Sequence, residues 1–289
     1  MSKTRKIARK KTIKKSNKKP TDISVLTFNV CWECMSGTAA PTKTKAYGKK
    51  CGKSNPNKCR VNAIDLCSSN PFSFIALQEA ELDLADDIIK NLKKRGHGNY
   101  SKVVKVLGKA KAIIIYNRDL FKKDGNLLFG NIIEKGRPYL FHNFIHKKTG
   151  KSLIVGSLHG PHEKRDWVKD YVKVAFALKG TKNKNPNILI MGDFNREIKK
   201  DITFDRKYNF NSKLKVLNKG KIKTGWNLNG KSENYTIAVD HIIISDNIKV
   251  IFGPETVGDK QNVLLPRNIQ KKYTSMTSDH KPLTAIISF

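Results

Sequence analysis

Short apolar segments that end abruptly in polar side chains recur along this sequence, and they constrain its fold more than any other feature. The segment ILIMGDFN, residues 188–195, begins with four apolar residues and ends in Asp193 and Asn195. A short apolar run bounded by turn residues predicts a strand that is buried on both faces. An unpaired polar group in such a place costs roughly 2 to 7 kcal/mol. The pattern therefore predicts that the ends of buried strands meet around partners for these polar groups.

Polar residues stand at equivalent positions at the ends of several other predicted strands. The full set is Asn29, Glu79, His159, Asp193, Asn195, Asp240, Asp279 and His280. Because the strands of one sandwich end along a common edge, we expect these side chains to lie close together. Carboxylate and amide oxygens are suitable ligands for Mg²⁺ or Mn²⁺, and imidazoles can transfer protons near neutral pH. This combination of groups predicts hydrolysis of a phosphate ester.

The spacing of apolar residues predicts a mixed α/β sandwich. Strands are predicted at 22–30, 72–81, 112–117, 137–146, 152–160, 239–244, 248–252 and 281–289, and amphipathic helices at 84–96 and 162–180. The segment KKTGK, residues 147–151, predicts a hairpin turn. The segments 196–236 and 253–276 are predicted to be long basic loops, and long loops in a compact domain are more often functional than idle.

The chain is strongly basic, with 57 Lys and Arg residues, 24 Asp and Glu residues and a net charge of +33. Ten of these positive charges lie in the first twenty residues, which contain no acid and no apolar run typical of a signal peptide or membrane span. We therefore expect residues 1–21 to form a disordered basic arm and residues 22–289 to form one catalytic domain. Subtracting the ten charges of the arm from +33 leaves +23 on that domain.

An excess of positive charge on the domain as well as on the arm predicts a polyanionic partner, which we expect to be DNA or RNA. An AT-rich genome explains some of the Lys residues but not the shortage of acids. The absence of an apolar leader predicts an intracellular protein, in the cytoplasm, the nucleus or a virion, and we expect a monomer without a membrane span.

All five cysteines lie in the first quarter of the chain, and Cys31 and Cys34 form a C-x-x-C pair. With Cys51 and Cys59, this pair makes a four-thiolate zinc site conceivable, although the last spacing departs from the usual pattern. A disulfide and ordinary buried thiols are the other interpretations. Without a secretory signal, reduced thiols are the default expectation.

The segments LTFNV, LQEAE, SLHGPH, GDFN, VDHIII and TSDHKPL occur in this order along the chain. In these motifs the sequence resembles the endonuclease/exonuclease/phosphatase superfamily, which includes DNase I-like and exonuclease III-like phosphodiesterases. The resemblance spans residues 22–289. It implies a four-layer α/β/β/α sandwich of two mainly antiparallel sheets.

The resemblance also implies metal-dependent hydrolysis, with Mg²⁺ as the cofactor and Mn²⁺ as a possible substitute. Matched position by position, Asn29 and Glu79 resemble metal ligands, with Glu79 the principal carboxylate. Asp279 resembles a further carboxylate on the metal side.

The remaining motif residues resemble the catalytic groups of the superfamily. Asp193 and Asn195 resemble the pair that positions the attacking water and the scissile phosphate. His280 resembles the general base or the imidazole that stabilises the phosphate, and Asp240 resembles the acid that orients it. His159 is similar to the second histidine of DNase I-type nucleases, and the acid that pairs with it is left open.

The function predicted from these features is that of a Mg²⁺-dependent nuclease, an enzyme that binds DNA or RNA and hydrolyses its phosphodiester bonds. One alternative is an inositol or lipid phosphatase, since SDHKP at 278–282 is similar to the end of 5-phosphatases, although the Trp-Cys-Asp-Arg run of those enzymes is absent. A second alternative is a non-catalytic protein that binds nucleic acid. The intact motifs argue against this alternative. Trp226 and Tyr235 are interpreted either as side chains that stack on nucleic-acid bases or as residues that pack within the protein.

Overall fold

The computed structural model describes residues 22–36, 56–107, 110–133, 136–162, 167–169, 171, 175, 186–204, 213–226, 235–256, 264–266, 268–269 and 278–289. The basic arm predicted for residues 1–21 lies outside these ranges and stays a prediction. Of the predicted helix 162–180, residues 168, 169, 171 and 175 are described and are helical.

The helices and strands follow one another in an order that alternates at the start of the chain and becomes mostly β afterwards. The helices are α1 (Trp32–Ser36), α2 (Pro56–Cys67) and α3 (Leu82–Lys94); the strands are β1 (Asp22–Asn29), β2 (Phe74–Gln78), β3 (Tyr100–Leu107), β4 (Ala110–Asn117), β5 (Phe121–Asn131), β6 (Pro138–His146), β7 (Ser152–His159), β8 (Ile188–Asp193), β9 (Leu214–Val216), β10 (Gly225–Trp226), β11 (Tyr235–Ile237), β12 (Asp240–Ser245), β13 (Lys249–Thr256) and β14 (Leu283–Ser288).

Two six-stranded sheets form the centre of the fold, in the orders β13-β14-β1-β2-β4-β3 and β5-β6-β7-β8-β12-β9. Strands β10 and β11 form a small separate ribbon. Each large sheet is antiparallel except for one parallel pair at its centre, β1 with β2 and β7 with β8. This arrangement confirms the prediction of two mainly antiparallel sheets.

Three buried clusters separate the layers of the molecule. The central cluster packs the inner faces of the sheets together, with Val25 and Phe74 from one sheet and Val155 and Met191 from the other. A second cluster packs α2 and α3 on the outer face of the first sheet. A third cluster packs Trp167 and helical residues beyond it on the outer face of the second sheet. The layer order is α/β/β/α, as predicted.

Helix α3 shows why its segment was readily predicted from the sequence. Leu84, Ile88 and Leu92 are buried at helical spacing, while the opposite face is charged. The helix stops before Gly96, which has a φ of +72° and donates its N–H to the carbonyl of Lys93. None of the helices in the described residues is long and apolar enough to cross a membrane.

Strands β1 and β8 alternate their side chains between the inner and outer faces of their sheets. In β8, Leu189 and Met191 join the central cluster, while Ile188 and Ile190 join the outer cluster. The next inner position after Met191 is Asp193. Side chains alternate in the same way along β1. Val25 belongs to the central cluster, so Asn29, four residues later, also lies on the inner face of its sheet. A buried polar residue at the end of each strand therefore points toward the gap between the two sheets.

The strands that the sequence did not reveal lie at sheet edges. Strands β3 and β5 were not predicted, and both are edge strands. In β5, only the first of eleven residues is buried, so the strand has no apolar run to detect. The segment 196–236, predicted as loop, contains the edge strand β9 and the ribbon strands β10 and β11. Strand β13, also at an edge, continues beyond its predicted end to Thr256.

The parallel pair β7 and β8 depends on a glycine next to the strand end. A Cβ atom at Gly192 would lie 2.1 Å from the carbonyl oxygen of Leu158, a backbone atom that cannot rotate away. Gly192 therefore allows the two backbones to approach at the position just before Asp193.

We expect Gly192→Ala to destabilise the fold by about 3 kcal/mol, at the upper end of overpacking costs. Gly150→Ala is the control, because Gly150 has a φ of +68° and no atom within 4 Å of an added Cβ. That variant should lose about 1 kcal/mol through its backbone conformation alone. Urea unfolding of the two variants measures the difference, and equal losses would contradict the close approach of β7 and β8.

Candidate active site

The two parallel strand pairs end at the same edge of the sandwich, and an amide joins them there. Asn29 Nδ2 donates to Glu79 Oε1 at 3.1 Å and to Asp193 Oδ2 at 3.0 Å. Glu79 follows β2 in one sheet, and Asp193 ends β8 in the other. Asn29 Oδ1 accepts the N–H of Cys31 at 3.0 Å, which fixes the orientation of the amide. Asn29 therefore holds two carboxylates from opposite sheets, and its role as a metal ligand stays a prediction.

Glu79 is turned toward this edge by an unusual backbone conformation. Its φ is +56°, a left-handed value that is uncommon for residues other than glycine. Its Oε2 accepts the N–H of Trp32 at 3.2 Å. The side chain is 29% exposed, so a ligand from solvent can reach this carboxylate. Backbone outliers of this kind concentrate at functional sites.

Asp193 and Asn195 form a tight turn directly after β8. The N–H of Asn195 is donated to Asp193 Oδ1 at 2.7 Å, and Asn195 Nδ2 donates to the carbonyl of Gly160 at 2.8 Å. Asn195 has a φ of +49°. Asp193 is almost completely buried, with each of its oxygens accepting one of these site hydrogen bonds.

His280 and Asp240 form a buried ion pair beside Asp193. His280 Nδ1 lies 2.9 Å from Asp240 Oδ2, and His280 Nε2 lies 3.6 Å from Asp193 Oδ2. Burial alone would lower the pKa of His280, but the carboxylates of Asp240, Asp193 and Asp279 raise it well above the usual value. His280 is therefore an imidazolium at neutral pH, with Nδ1–H donated to Asp240.

His159 occupies the opposite side of Asp193 in the opposite charge state. Its Nε2 lies 3.6 Å from Asp193 Oδ2 and 3.5 Å from Glu79 Oε1. Arg137 donates to the same Nε2 at 2.6 Å, so this nitrogen is an acceptor and the proton is on Nδ1. Burial is the main cause that lowers the pKa of His159 to about 3; the carboxylate of Asp193 opposes this shift, and the guanidinium of Arg137 contributes to it. The sequence left open the acid that pairs with His159, and no carboxylate among the described residues hydrogen-bonds its Nδ1, which is buried without a partner. The basic group beside its Nε2 is Arg137, which was not predicted.

Several site residues were not identified from the sequence. Arg137 was predicted only as the first residue of a strand. Its hydrogen bond with His159 depends on the pairing of β6 with β7, which the sequence does not reveal. Thr224 accepts the N–H of Asp240 at 3.0 Å. Ser278 accepts the N–H of His280 at 3.0 Å, and its position directly before the Asp-His pair is the one signal that was available.

Buried polar residues also connect the two sheets beneath the site. Gln78 Nε2 donates to Ser157 Oγ at 3.1 Å, and Thr27 Oγ1 donates to Gln78 Oε1 at 3.4 Å. All three side chains are fully buried. This polar floor fixes the spacing of the sheets immediately below Asn29 and Asp193.

Cys31 and Cys34 form a disulfide, whereas Cys59 and Cys67 are buried in α2. The default expectation of reduced thiols is therefore wrong for the C-x-x-C pair, because the turn brings its two sulfurs together. Cys51 lies outside the described residues. A carboxylate oxygen of Asp279 lies within 4.8 Å of the sulfurs of Cys31 and Cys34.

The residues at this edge fit a divalent cation. Carboxylate oxygens of Asp193 and Asp240 lie within 4.8 Å of each other beside the ring of His280. Asp240 Oδ1 is buried without a hydrogen-bond partner in the described structure. Glu79 adds an accessible carboxylate, and the two nearest sulfurs are consumed in a disulfide. Carboxylate oxygens of this kind favour Mg²⁺ or Mn²⁺ over thiophilic metals.

The motif residues that the sequence predicted thus converge on one edge, and the sequence profile described as the Endonuclease/Exonuclease/phosphatase family matches residues 26–280. The chain belongs to this family. Members of the endonuclease/exonuclease/phosphatase family are hydrolases that act on phosphoester bonds and are typically metal-dependent. Comparison of the sequence with curated proteins gave no match.

Solved structures of the same architecture come from enzymes with different substrates. Truncated TDP2 from Caenorhabditis elegans has a TM-score of 0.57 at 15% identity, with 93% of this chain and 98% of that chain covered. A mannosyl-6-phosphatase from Bacteroides thetaiotaomicron has a TM-score of 0.57 at 17% identity, covering 92% and 100%. ANGEL2, a 2',3'-cyclic phosphatase, has a TM-score of 0.64 at 14% identity, covering 92% and 95%. At these identities the similarity shows the fold alone.

The neutral state of His159 predicts a pH-dependent loss of stability. In the unfolded chain His159 titrates near 6.5, whereas its folded pKa is about 3. Its contribution is therefore fully present above pH 6.5 and is lost as the pH falls toward 3. Between pH 7.5 and 5, we expect the wild type to lose about 2 kcal/mol more than His159→Gln, whose amide can still accept from Arg137. Urea unfolding in a chelator measures this, and parallel losses would contradict a neutral His159.

Proposed function

We propose that this protein is a Mg²⁺-dependent nuclease that hydrolyses phosphodiester bonds in DNA or RNA. The observation that carries the proposal is the pairing of a carboxylate-rich phosphoesterase site with a chain of net charge +33. A strongly basic surface attracts polyanions and releases their condensed counterions on binding. A small neutral or monoanionic substrate does not require such a charge. The same charge keeps copies of the chain apart, which favours a monomer. We further propose that this monomer works on nucleic acid inside the cell.

Basic residues continue outward from the site along the segment that follows Asn195. A cavity of about 480 Å³ there is lined by four basic residues, Lys169, Arg196, Lys199 and Lys200, and by two acidic residues, Glu197 and Asp201, so that four positive and two negative charges leave its wall at +2. Glu197, also in its wall, is paired with Lys223 at 2.6 Å. The net charge of this wall supports binding of the phosphates that flank the scissile bond. The side chains of Trp226 and Tyr235, considered for base stacking, lie outside the described residues.

Different side chains at this edge can supply the separate groups that phosphodiester hydrolysis requires. The guanidinium of Arg137 and the imidazolium of His280 offer positive hydrogen-bond donors to phosphate oxygens. Asp193 Oδ2 lies 3.6 Å from His280 Nε2, and this carboxylate can orient the attacking water and accept its proton. The charge of His280 favours the phosphate-stabilising role over the role of general base. A Mg²⁺ ion held by Glu79 and its neighbours would supply further neutralisation of the phosphate charge.

A phosphatase acting on a smaller phosphate ester is the second candidate. The structural similarity to a mannosyl-6-phosphatase and a 2',3'-cyclic phosphatase favours it, as does the SDHKP segment at 278–282. A direct comparison of substrates separates the two candidates.

We expect the purified protein with Mg²⁺ to cleave at least one nucleic acid in a panel of plasmid DNA, abasic-site duplex, single-stranded RNA and an inositol phosphate. A chelator should abolish the activity, and Mg²⁺ or Mn²⁺ should restore it, because the site offers oxygen ligands. Gel electrophoresis and phosphate release measure the products. Release of phosphate from the inositol phosphate alone would establish the phosphatase instead.

We expect His280→Ala to lower turnover roughly 10²- to 10³-fold, as is usual when one donor that stabilises the charge of the transition state is lost. Asp240→Asn should cost less and should shift the basic limb of the pH–rate profile to lower pH, because it removes a carboxylate that raises the pKa of His280. The double variant should be little worse than His280→Ala, since groups that act as a unit are not additive. His97→Ala, at the end of α3, is the control. Strictly multiplicative losses would show that Asp240 and His280 act separately.

A further inference from the structure

The Cys31–Cys34 disulfide lies two residues beyond Asn29, at the point where β1 leaves the sheet. It closes a loop of four residues that contains Trp32 and Glu33 and overlaps the five-residue helix α1. Cys31 is 2% exposed and Cys34 is fully buried. The proposed function assigns no task to this disulfide.

Backbone groups inside this loop hold two side chains of the site. The N–H of Cys31 is donated to Asn29 Oδ1 at 3.0 Å, and the N–H of Trp32 is donated to Glu79 Oε2 at 3.2 Å. Both donors depend on the left-handed conformation of Cys31, which has a φ of +57°. A residue with a Cβ atom keeps such a conformation only where its surroundings enforce it. The disulfide, together with the bond from the N–H of Cys34 to the carbonyl of Cys31, supplies that enforcement.

Asn29, one of the two side chains held by this loop, in turn positions other residues of the site. Asn29 is the donor that joins Glu79 to Asp193, and its backbone carbonyl accepts the hydroxyl of Ser278 at 2.8 Å. Ser278 in turn accepts the N–H of His280. A change in the Cys31 turn is therefore transmitted directly to carboxylates on both sheets.

We propose that the Cys31–Cys34 disulfide positions Glu79 and Asn29 for divalent-cation binding and is a redox modification site, so that a dithiol reductant weakens that binding. The inference rests on the proposed metal dependence but not on the nature of the substrate. Groups that orient metal ligands typically change metal affinity 10- to 100-fold when they are lost.

The chemistry is an exchange with a dithiol of the dithiothreitol class. One thiolate of the reductant attacks a sulfur of the pair, the Cys31–Cys34 bond breaks and a mixed disulfide forms. The second thiol of the reductant then attacks the reductant's own sulfur in the mixed disulfide. The bond to the protein sulfur breaks, and the reductant leaves as a cyclic disulfide. The protein gains two electrons and two protons as two thiols. Because both sulfurs are buried, the reaction requires local opening of the Cys31 turn.

The test measures Mn²⁺ binding by electron paramagnetic resonance in the full chain before and after complete reduction with dithiothreitol. Alkylation and mass spectrometry establish the redox state. We expect Cys31 and Cys34 to be protected from alkylation until reduction, and reduction to weaken Mn²⁺ binding at least tenfold. Removing the reductant and reoxidising the pair should restore the affinity. Free thiols before reduction, equal affinities in both states or no Mn²⁺ binding in either state would overturn the proposal.

Variants separate local positioning from general stability. Cys31→Ser with Cys34→Ser should bind Mn²⁺ as weakly as the reduced wild type and should not respond to dithiothreitol. Cys67→Ala, which removes a free buried thiol from α2, should keep the full response of the wild type. Near-ultraviolet circular dichroism of the reduced wild type should retain its folded spectrum, and global unfolding on reduction would overturn the positioning role. Redox-dependent Mn²⁺ binding without nucleic-acid cleavage would refute the proposed nuclease alone.

Discussion

The active edge depends on a single amide that keeps two carboxylates of opposite sheets together. Carboxylates that share a site repel each other, so Glu79 and Asp193 need a donor between them. Asn29 Nδ2 supplies that donor, and the guanidinium of Arg137 and the imidazolium of His280 balance the charge from the sides. The central apolar cluster and the buried Gln78–Ser157 contact bring the strand ends within reach of this amide. The assembly of the site therefore depends on the packing of the two sheets against each other.

Two histidines that lie equally far from one carboxylate have different charges because their other neighbours differ. His159 and His280 each place Nε2 at 3.6 Å from Asp193 Oδ2. Arg137 donates to the first ring, and Asp240 accepts from the second. The protein thereby places a neutral and a cationic imidazole on either side of Asp193. The neutral ring accepts a hydrogen bond from Arg137, whereas the cationic ring donates to Asp240.

The sequence predicted the interior of the fold better than its margins. Central strands such as β8 are buried on both faces and appear as continuous apolar runs, whereas the edge strands β3 and β5 have too few buried residues to form a pattern. The polar residues at strand ends were found for the same reason, since they interrupt apolar runs. Arg137 was missed because nothing local marks an arginine that acts across a strand pair. The disulfide of the C-x-x-C pair was missed because, without a secretory signal, reduced thiols were the default expectation.

The parallel pairs at the centre of each sheet have a consequence for how the site comes into being. A parallel pair requires a long crossover, so the strands that meet at the edge are distant in the chain. The contact between Asn29 and Asp193 spans 164 residues, and that between Asn29 and Glu79 spans 50. Contacts of such separation form late in folding because loop closure precedes them. A chain still emerging from the ribosome therefore has no assembled carboxylate edge until Asp193 has been made, 164 residues after Asn29.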